Sequence, residues 1–130
     1  MAKQLNIAVL WLYDPVSDKL LTGGMERWCR DAARLARAHG YQVHIWQKST
    51  QAFKKQLEQD ITIHGLRAPM GFRGNRTLAK ALERKNLRDD PFLFVSQEIL
   101  GFGDFPRSAA VNHGIWWDGD VPWWKRELNK

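Results

Sequence analysis

A mostly apolar segment near the N-terminus is followed by a glycine pair and then by a segment with helical periodicity. The apolar segment, Leu5–Tyr13, has the composition of a buried strand. Gly23 and Gly24 precede the periodic segment, which runs from about Met25 to His39 and stops at Gly40. Strand, turn and helix in this order predict the first unit of an α/β fold. Because glycines at a helix N-terminus leave backbone N–H groups open to an anion, we expect a ligand at this turn.

The alternation of extended and helical patterns continues beyond the first helix. Further strands are predicted at Tyr41–Gln47, Ile61–Leu66, Phe92–Val95 and Ser108–Asn112. The polar segment Lys48–Gln59 has room for a short helix. After a loop at Arg67–Gly74, Asn75 is the predicted N-cap of a second helix, Arg76–Leu87. The residues predicted to face the core are Met25, Trp28, Cys29, Ala32, Ala33 and Ala36 in the first helix, and Leu78, Ala79 and Leu82 in the second.

These patterns predict the fold class and the compartment. Near-continuous apolar strands that alternate with helices predict a single α/β domain with a Rossmann-like parallel sheet flanked by helices. The length of 130 residues suits one domain. One cysteine excludes an internal disulfide, and the N-terminus carries no secretion signal, so a cytoplasmic protein is expected. No apolar run approaches the roughly 18 residues of a membrane span.

Positive charge is concentrated in one part of the chain. The formal net charge is +6. The interval from Arg67 to Arg88, called the basic stripe below, contains Glu83 as its one acid and the basic residues Arg67, Arg73, Arg76, Lys80, Arg84, Lys85 and Arg88. Such a stripe is typical of a surface that meets an anionic partner, and equally of a solvated helix face.

Two further polar positions are predicted at the edge of the sheet where the parallel strands end. His113 follows the predicted fifth strand, and Glu98 follows the fourth. Ligands of open α/β sheets bind at that edge, where His113 and Glu98 would face the glycine turn. Each also has a plain structural interpretation: a tight turn for the glycines, a capping role for His113 and a surface acid for Glu98.

The sequence lacks the motifs of several known kinds of site. The glycine turn has neither the spacing of a dinucleotide-binding fingerprint nor the Lys-Ser/Thr of a P-loop. There is no nucleophile elbow, and no two histidines are spaced as metal ligands in the sequence, so no metal site is expected.

The C-terminal segment is rich in tryptophan. Trp116, Trp117, Trp123 and Trp124 surround the acids Asp118 and Asp120. Such rings can stack on sugars, lie at a membrane interface or pack against a further domain, the last being favoured. The beginning of a helix at the very end of the chain leads us to expect that the chain is a fragment of a longer protein.

Two segments together resemble a known family. Gly23-Gly24-Met25-Glu26-Arg27, with Gly40 before the second strand, and Val111–Asp118 with its His113-Gly114, are similar to the family 4 retaining glycosyltransferases. Membership would imply the GT-B fold, in which two Rossmann-like domains face a cleft. The chain would be the N-terminal, acceptor-side domain, and the nucleotide-binding domain would follow it.

The resemblance also implies roles for individual residues. Gly23 and Gly24 would approach the donor diphosphate and sugar; Glu98 is placed beside them by its position after the fourth strand and not by the resemblance. His113 would contact the donor sugar as the catalytic residue. Candidates for the acceptor side are Arg73, Arg76, Trp116, Trp117 and Asp118.

The function implied is sugar transfer, with retention, from a nucleotide-sugar to a glycan or lipid-linked acceptor. No metal and no other cofactor is expected, nor is nucleic acid a partner. The partner would be the second domain of the same protein, with peripheral contact at the inner membrane face, and the isolated domain is expected to be inactive. One alternative is a stand-alone module that binds nucleic acid or acidic lipid through the basic stripe. Another is a free-standing α/β enzyme, for which only His113 and Glu98 are found.

Overall fold

The computed structural model describes residues 3–21, 23–69, 72–85, 90–95 and 103–110. Within these residues, ten elements follow one another: β1 (Lys3–Ala8), β2 (Tyr13–Asp14), β3 (Lys19–Leu20), α1 (Gly24–Ala38), β4 (Tyr41–Ser49), β5 (Phe53–Glu58), β6 (Ile61–Arg67), α2 (Phe72–Arg84), β7 (Phe92–Phe94) and β8 (Ser108–Ala110).

Six of the strands form one sheet, in the order β5-β6-β4-β1-β7-β8. Every neighbouring pair is parallel except β5 and β6, which are antiparallel. The predicted α/β class is confirmed, with a mixed, mostly parallel sheet and two helices. The chain adds β4 and β6 on one side of β1, and β7 and β8 on the other. The strand order therefore reverses between β1 and β7, and such a switch point is where open α/β sheets bind ligands.

Each face of the sheet has its own helix and its own core. Successive residues of a strand point to opposite faces. Ile7 and Ile45 therefore pack with Cys29 and Ala33 of α1. Their neighbours Ala8 and Trp46 pack with Leu82 and the rest of α2's apolar stripe on the other face. The predicted core-facing residues of α2 are confirmed, since Leu78, Ala79 and Leu82 are fully buried.

The first predicted strand is too long. β1 ends at Ala8, and Tyr13 begins a separate two-stranded hairpin, β2–β3, instead of continuing the sheet. Asp18 in the hairpin turn has a positive φ of 55°, a conformation that Asp tolerates better than most residues. The apolar residues between Ala8 and Tyr13 still enter the core, where Val9 and Leu12 are fully buried. Apolar composition alone did not distinguish a buried loop from a buried strand.

The short helix proposed within Lys48–Gln59 is wrong. Phe53–Glu58 is the edge strand β5, which returns antiparallel along β6 through a turn where Asp60 has a φ of 63°. Phe53 and Leu57 pack against the core, with exposed polar residues between them. The ring of Phe53 occupies the space that a side chain at Gly65 would fill. In the sequence the two apolar residues are four positions apart with Lys55 between them, a spacing that suits a helix as well as a half-buried strand, so the pattern did not separate the two.

The second helix begins earlier than predicted. It starts at Phe72, so Asn75 lies inside the helix and is not its N-cap. Asn75 is only 5% exposed, and its Oδ1 has no hydrogen-bond partner among the described residues. The remaining predicted elements lie close to their expected bounds, α1 being one residue displaced at each end. Val111 and Asn112 of the fifth predicted strand lie outside the described residues.

Candidate functional site at the carboxyl edge of the sheet

The edge where the parallel strands end is built around β1 and β7. The backbone N–H of Val95 donates to the carbonyl of Ala8 at 2.9 Å, and the N–H of Val9 donates to that of Trp46 at 2.9 Å. Helices that connect parallel strands run opposite to them, so α1 and α2 both begin at this edge, on opposite faces of the sheet. The glycine turn thus lies at the edge where the sequence predicts it.

Neither glycine of the turn is required by its backbone conformation. Gly23 is the N-cap of α1, with φ −70° and ψ 173°, and accepts the first helical hydrogen bond from Arg27 N–H at 3.0 Å. Gly24 does not have a positive φ, unlike Gly40 at 89°. A Cβ added at Gly24 would meet no atom of the described residues within 4 Å. The fold itself therefore does not require a glycine at this position. Close approach of a ligand to the backbone is a physical reason for one.

A carboxylate lies beside the turn. The side chain of Glu26 folds back over Gly23, and a side chain added at Gly23 would collide with Oε2 of Glu26. Glu26 is the third residue of α1, the position from which an acid reaches back to a helix N-cap. A carboxylate accepts hydrogen bonds from hydroxyl groups, whereas it repels phosphate. In the sequence, Glu26 is visible only as part of the motif Gly23–Arg27, from which no role for it was predicted.

The loop that leads into the turn is held by a buried glutamine. Gln47 is 0% exposed. Its Oε1 accepts from the backbone N–H groups of Leu12 (3.0 Å) and Tyr13 (2.8 Å). Its Nε2 donates to the carbonyls of Tyr13 (2.8 Å) and Lys48 (3.1 Å). The whole amide is therefore satisfied, and the hairpin is fixed to β4. Sequence reasoning missed Gln47, because a glutamine at a strand end is usually exposed.

A second contact fixes the hairpin to β5. Tyr13 Oη donates to Asp18 Oδ1, and Lys55 Nζ donates to the same oxygen at 2.7 Å and to Tyr13 Oη at 3.2 Å. The Lys55 ammonium, and after it the Tyr13 hydroxyl, lowers the pKa of Asp18. The partnership with Asp18 raises the pKa of Lys55, which therefore stays protonated at neutral pH. The contact has a structural role, since a protonated lysine is neither a base nor a nucleophile.

The predicted acceptor-side residues that the structure describes lie on the other face. Arg73 and Arg76 belong to the first turns of α2 and are exposed, as are Lys80 and Arg84 one and two turns further along. Arg73 and Arg76 therefore lie at the same edge of the sheet as Gly23 and Gly24, but on a different helix. His113, Glu98, Trp116, Trp117 and Asp118 lie outside the described residues, and their roles stay predictions.

Cys29 is excluded as a nucleophile. It is buried under α1. Burial, and to a smaller extent the charge of Glu26, raises the pKa of its thiol to about 12. A thiol with this pKa is almost wholly protonated at neutral pH, and the thiolate is the reactive form.

A polar cluster that the sequence analysis missed lies on the α2 face of the sheet. His44 Nδ1 and His64 Nε2 are 3.1 Å apart, and the His64 ring stacks on Trp46 with centroids 4.0 Å apart. Burial, followed by the charges of His44, Lys54 and Lys85, lowers the pKa of His64 to about 4. Burial, and after it the charge of Lys54, lowers the pKa of His44, whereas the charge of Asp90 acts to raise it. Twenty residues separate the two histidines in the chain, so only the pairing of β4 with β6 joins them.

Neither metal-binding clusters nor membrane-spanning helices help to identify the site. The described residues contain no group of three or more His, Cys, Asp or Glu side chains arranged to hold a metal ion. Within the same part of the chain, no helix is long and apolar enough to cross a membrane.

Comparison with known proteins leaves the family open. No protein-family model matches the chain, and no curated protein matches it significantly. The glycosyltransferase resemblance therefore rests on the residues of the two motifs.

Proposed function

We propose that this chain is the acceptor-side domain of a retaining glycosyltransferase that transfers a sugar from a nucleotide-sugar to a glycan or lipid-linked acceptor. The observation that carries the proposal is the open turn at Gly24, where a glycine is present without a conformational or packing need for it. The turn lies at the carboxyl edge of a mostly parallel sheet, which is the usual place for a ligand in such folds.

The turn offers two kinds of polar group. The first N–H groups of α1 have no partner inside the helix and carry the positive end of its dipole. They would donate to the leaving diphosphate from the Gly24 side, where no described atom stands in the way. On the Gly23 side, the Glu26 carboxylate would accept from sugar hydroxyls. Hydrogen-bond donors that already point to the place where negative charge develops on the diphosphate lower the barrier for departure of the diphosphate.

The remaining parts of the proposed reaction rest on the sequence resemblance. His113 would contact the donor sugar, and a second domain would hold the nucleotide. Glu98 joins them through its predicted position after the fourth strand. The finer assignment of the fold as one half of a GT-B enzyme belongs to this proposal, as does peripheral contact with a membrane. The mechanism asks for no metal ion.

Amide NMR spectra of the nitrogen-labelled chain test the proposal. UDP-, GDP- and ADP-sugars are added in turn, and the shifts of backbone amides are followed. We expect one donor to shift the amides of Gly23, Gly24 and Met25, while the amide of Gly40, a glycine in another turn, stays unmoved. Because a second domain would hold the nucleotide, we expect binding to this chain to be weak, and shifts confined to Arg73, Arg76 and Lys80 would contradict the proposal.

The outer face of α2 favours a second function, an anion-binding module. Arg73, Arg76, Lys80 and Arg84 follow one another at helical spacing on the side away from the core. In the described part of the chain, Lys80 is the one member with an acidic partner, Glu83 at 3.6 Å. A nucleic acid or an acidic lipid surface would neutralise this row.

Salt dependence and charge reversal test the second function. Binding to duplex DNA or to phosphatidylserine vesicles should weaken steeply as salt rises, with a slope set by the number of phosphates contacted. Arg76→Glu should weaken binding, and Arg34→Glu, on the opposite helix, should affect it less. Equal affinity of the two variants would rule out α2 as the binding surface.

A further inference from the structure

The histidine pair on the α2 face has the spacing of two ligands on one metal ion. His44 Nδ1 and His64 Nε2 are 3.1 Å apart. With metal–nitrogen bonds near 2.0–2.1 Å, two imidazole nitrogens are about 2.9 Å apart at a right angle and about 3.4 Å apart at the tetrahedral angle. The observed distance lies between these values. Both rings are partly exposed, so water can reach the remaining coordination positions.

The orientation of His44 is already that of a ligand. Its Nε2–H donates to Gln4 Oε1 at 2.7 Å, and Gln4 Nε2 donates to Gln42 Oε1 at 2.8 Å. This chain of amides fixes the His44 tautomer and leaves Nδ1 unprotonated on the side that faces His64. Metal-binding histidines usually have their second nitrogen held in this way, which fixes the ring and raises its basicity. On the other side, the Trp46 ring, tilted by 14° from that of His64, fixes the plane of the second imidazole.

We propose that His44 Nδ1 and His64 Nε2 together bind one first-row transition-metal ion, Cu²⁺ in preference to Zn²⁺. In the metal-free chain one proton lies between the two nitrogens, on His64 Nε2. On binding, that proton moves to His64 Nδ1, the two rings turn so that their lone pairs converge on one point, and each nitrogen gives its lone pair to the metal there. The two neutral imidazoles gain no proton and lose none. This site is separate from the glycine turn and does not depend on the proposed function.

The surrounding charges decide which class of ion is bound. Lys54 lies opposite His64 in the strand register, and Lys85 Nζ lies 5.9 Å from the centroid of the Trp46 ring. Both ammonium groups repel a cation, and among the described residues Asp90 acts in the opposite direction. Ions held mainly by charge, such as Mg²⁺ and Ca²⁺, are therefore disfavoured. Ions with strong bonds to imidazole remain, and among these Cu²⁺ leads in the general order of affinity.

Calorimetric titration of the full chain with Cu²⁺ and Zn²⁺ tests the proposal. Tryptophan fluorescence, compared between the wild type and Trp46→Phe because the chain has seven tryptophans, is a second signal. The wild type should bind one equivalent of Cu²⁺ more tightly than Zn²⁺, with quenching of the tryptophan that stacks on His64. His44→Ala and His64→Ala should each lower the affinity about 100-fold or more, and Gln4→Leu about tenfold. His39→Ala removes an exposed histidine at the end of α1 and should change nothing.

Circular dichroism spectra of each variant show whether it is folded, and His64→Gln keeps a hydrogen-bonding group in case His64→Ala is unstable. Loss of the one-equivalent binding in folded His64→Gln supports the proposal. Equal binding by wild type and by the His44→Ala/His64→Ala double variant, or no binding by the wild type, overturns it.

Discussion

Gln47 and Tyr13 are joined by two hydrogen bonds of 2.8 Å, one from the backbone N–H of Tyr13 to the side-chain oxygen of Gln47 and one from its side-chain nitrogen to the backbone carbonyl of Tyr13. A side-chain amide thus replaces a strand partner for the segment that leaves the sheet after β1. Gln47 thus fixes the hairpin and the approach to the glycine turn to β4, beside the contact of Lys55 with Asp18.

Replacing Gln47 with Leu should destabilise the chain strongly. The substitution keeps most of the volume but leaves the N–H groups of Leu12 and Tyr13 buried without an acceptor. Each unsatisfied buried group costs about 1–3 kcal/mol, so for two groups we expect a loss of roughly 2–6 kcal/mol in the free energy of unfolding. Urea titration measures it. Gln51→Leu, at an exposed position, is the matched control, and similar losses in both variants would contradict the role of Gln47.

Gly65→Ala should also destabilise, although alanine usually suits a strand better than glycine. The added methyl group would collide with the Phe53 ring, and forced overpacking costs about 1–3 kcal/mol. Phe53→Leu in the same chain should recover part of the loss, because the smaller side chain leaves room. The double-mutant cycle is read from thermal or urea unfolding. Strict additivity of the two losses would show that Phe53 and Gly65 do not meet.

Stability should fall in mildly acidic solution because of His64. Its pKa is about 4 in the folded chain against an ordinary value of 6.5, so the unfolded chain binds more protons between these values. The free energy of unfolding is therefore fully retained above about pH 6.5 and falls as the pH is lowered toward 4. The lowered pKa of His44 adds to the effect.

Urea unfolding in EDTA at several pH values from about 7 to 5 measures this dependence. His64→Gln should flatten the profile, whereas His39→Gln should leave it as in the wild type. An unchanged profile in His64→Gln would show that the pair is not the source of the pH dependence.

The sequence predicted where helices and strands lie along the chain better than it predicted which strands pair with each other. The stripe of α1 was visible because Cys29, Ala33 and their neighbours recur at helical spacing, and the apolar strands β4 and β6 stood out from their flanks. The edge strand β5 was missed because only Phe53 and Leu57 mark its buried face, in a segment of mainly polar residues. Its antiparallel course depends on the turn at Asp60, which composition does not reveal.

The candidate sites divide in the same way. Gly23 and Gly24 were identified because a glycine pair before a helix has a local physical meaning. The contacts of Gln47 with Tyr13 and of His44 with His64 join residues that are far apart in the chain. Each arises only when β4 is placed between β1 and β6, so no local pattern could have indicated it.

The most direct measurement compares the stability of Gly24→Ala with its binding of the nucleotide-sugar that shifts the wild-type amides. The new methyl group enters open space at the start of a helix, so we expect the free energy of unfolding to rise by about 0.5 kcal/mol. The same methyl group would occupy the place of the ligand, and binding should weaken about tenfold or more. Gly40→Ala, at a φ of 89°, should do the reverse, with lower stability and unchanged binding. A Gly24→Ala chain that binds the donor as tightly as the wild type would contradict the central claim that this turn is the ligand site.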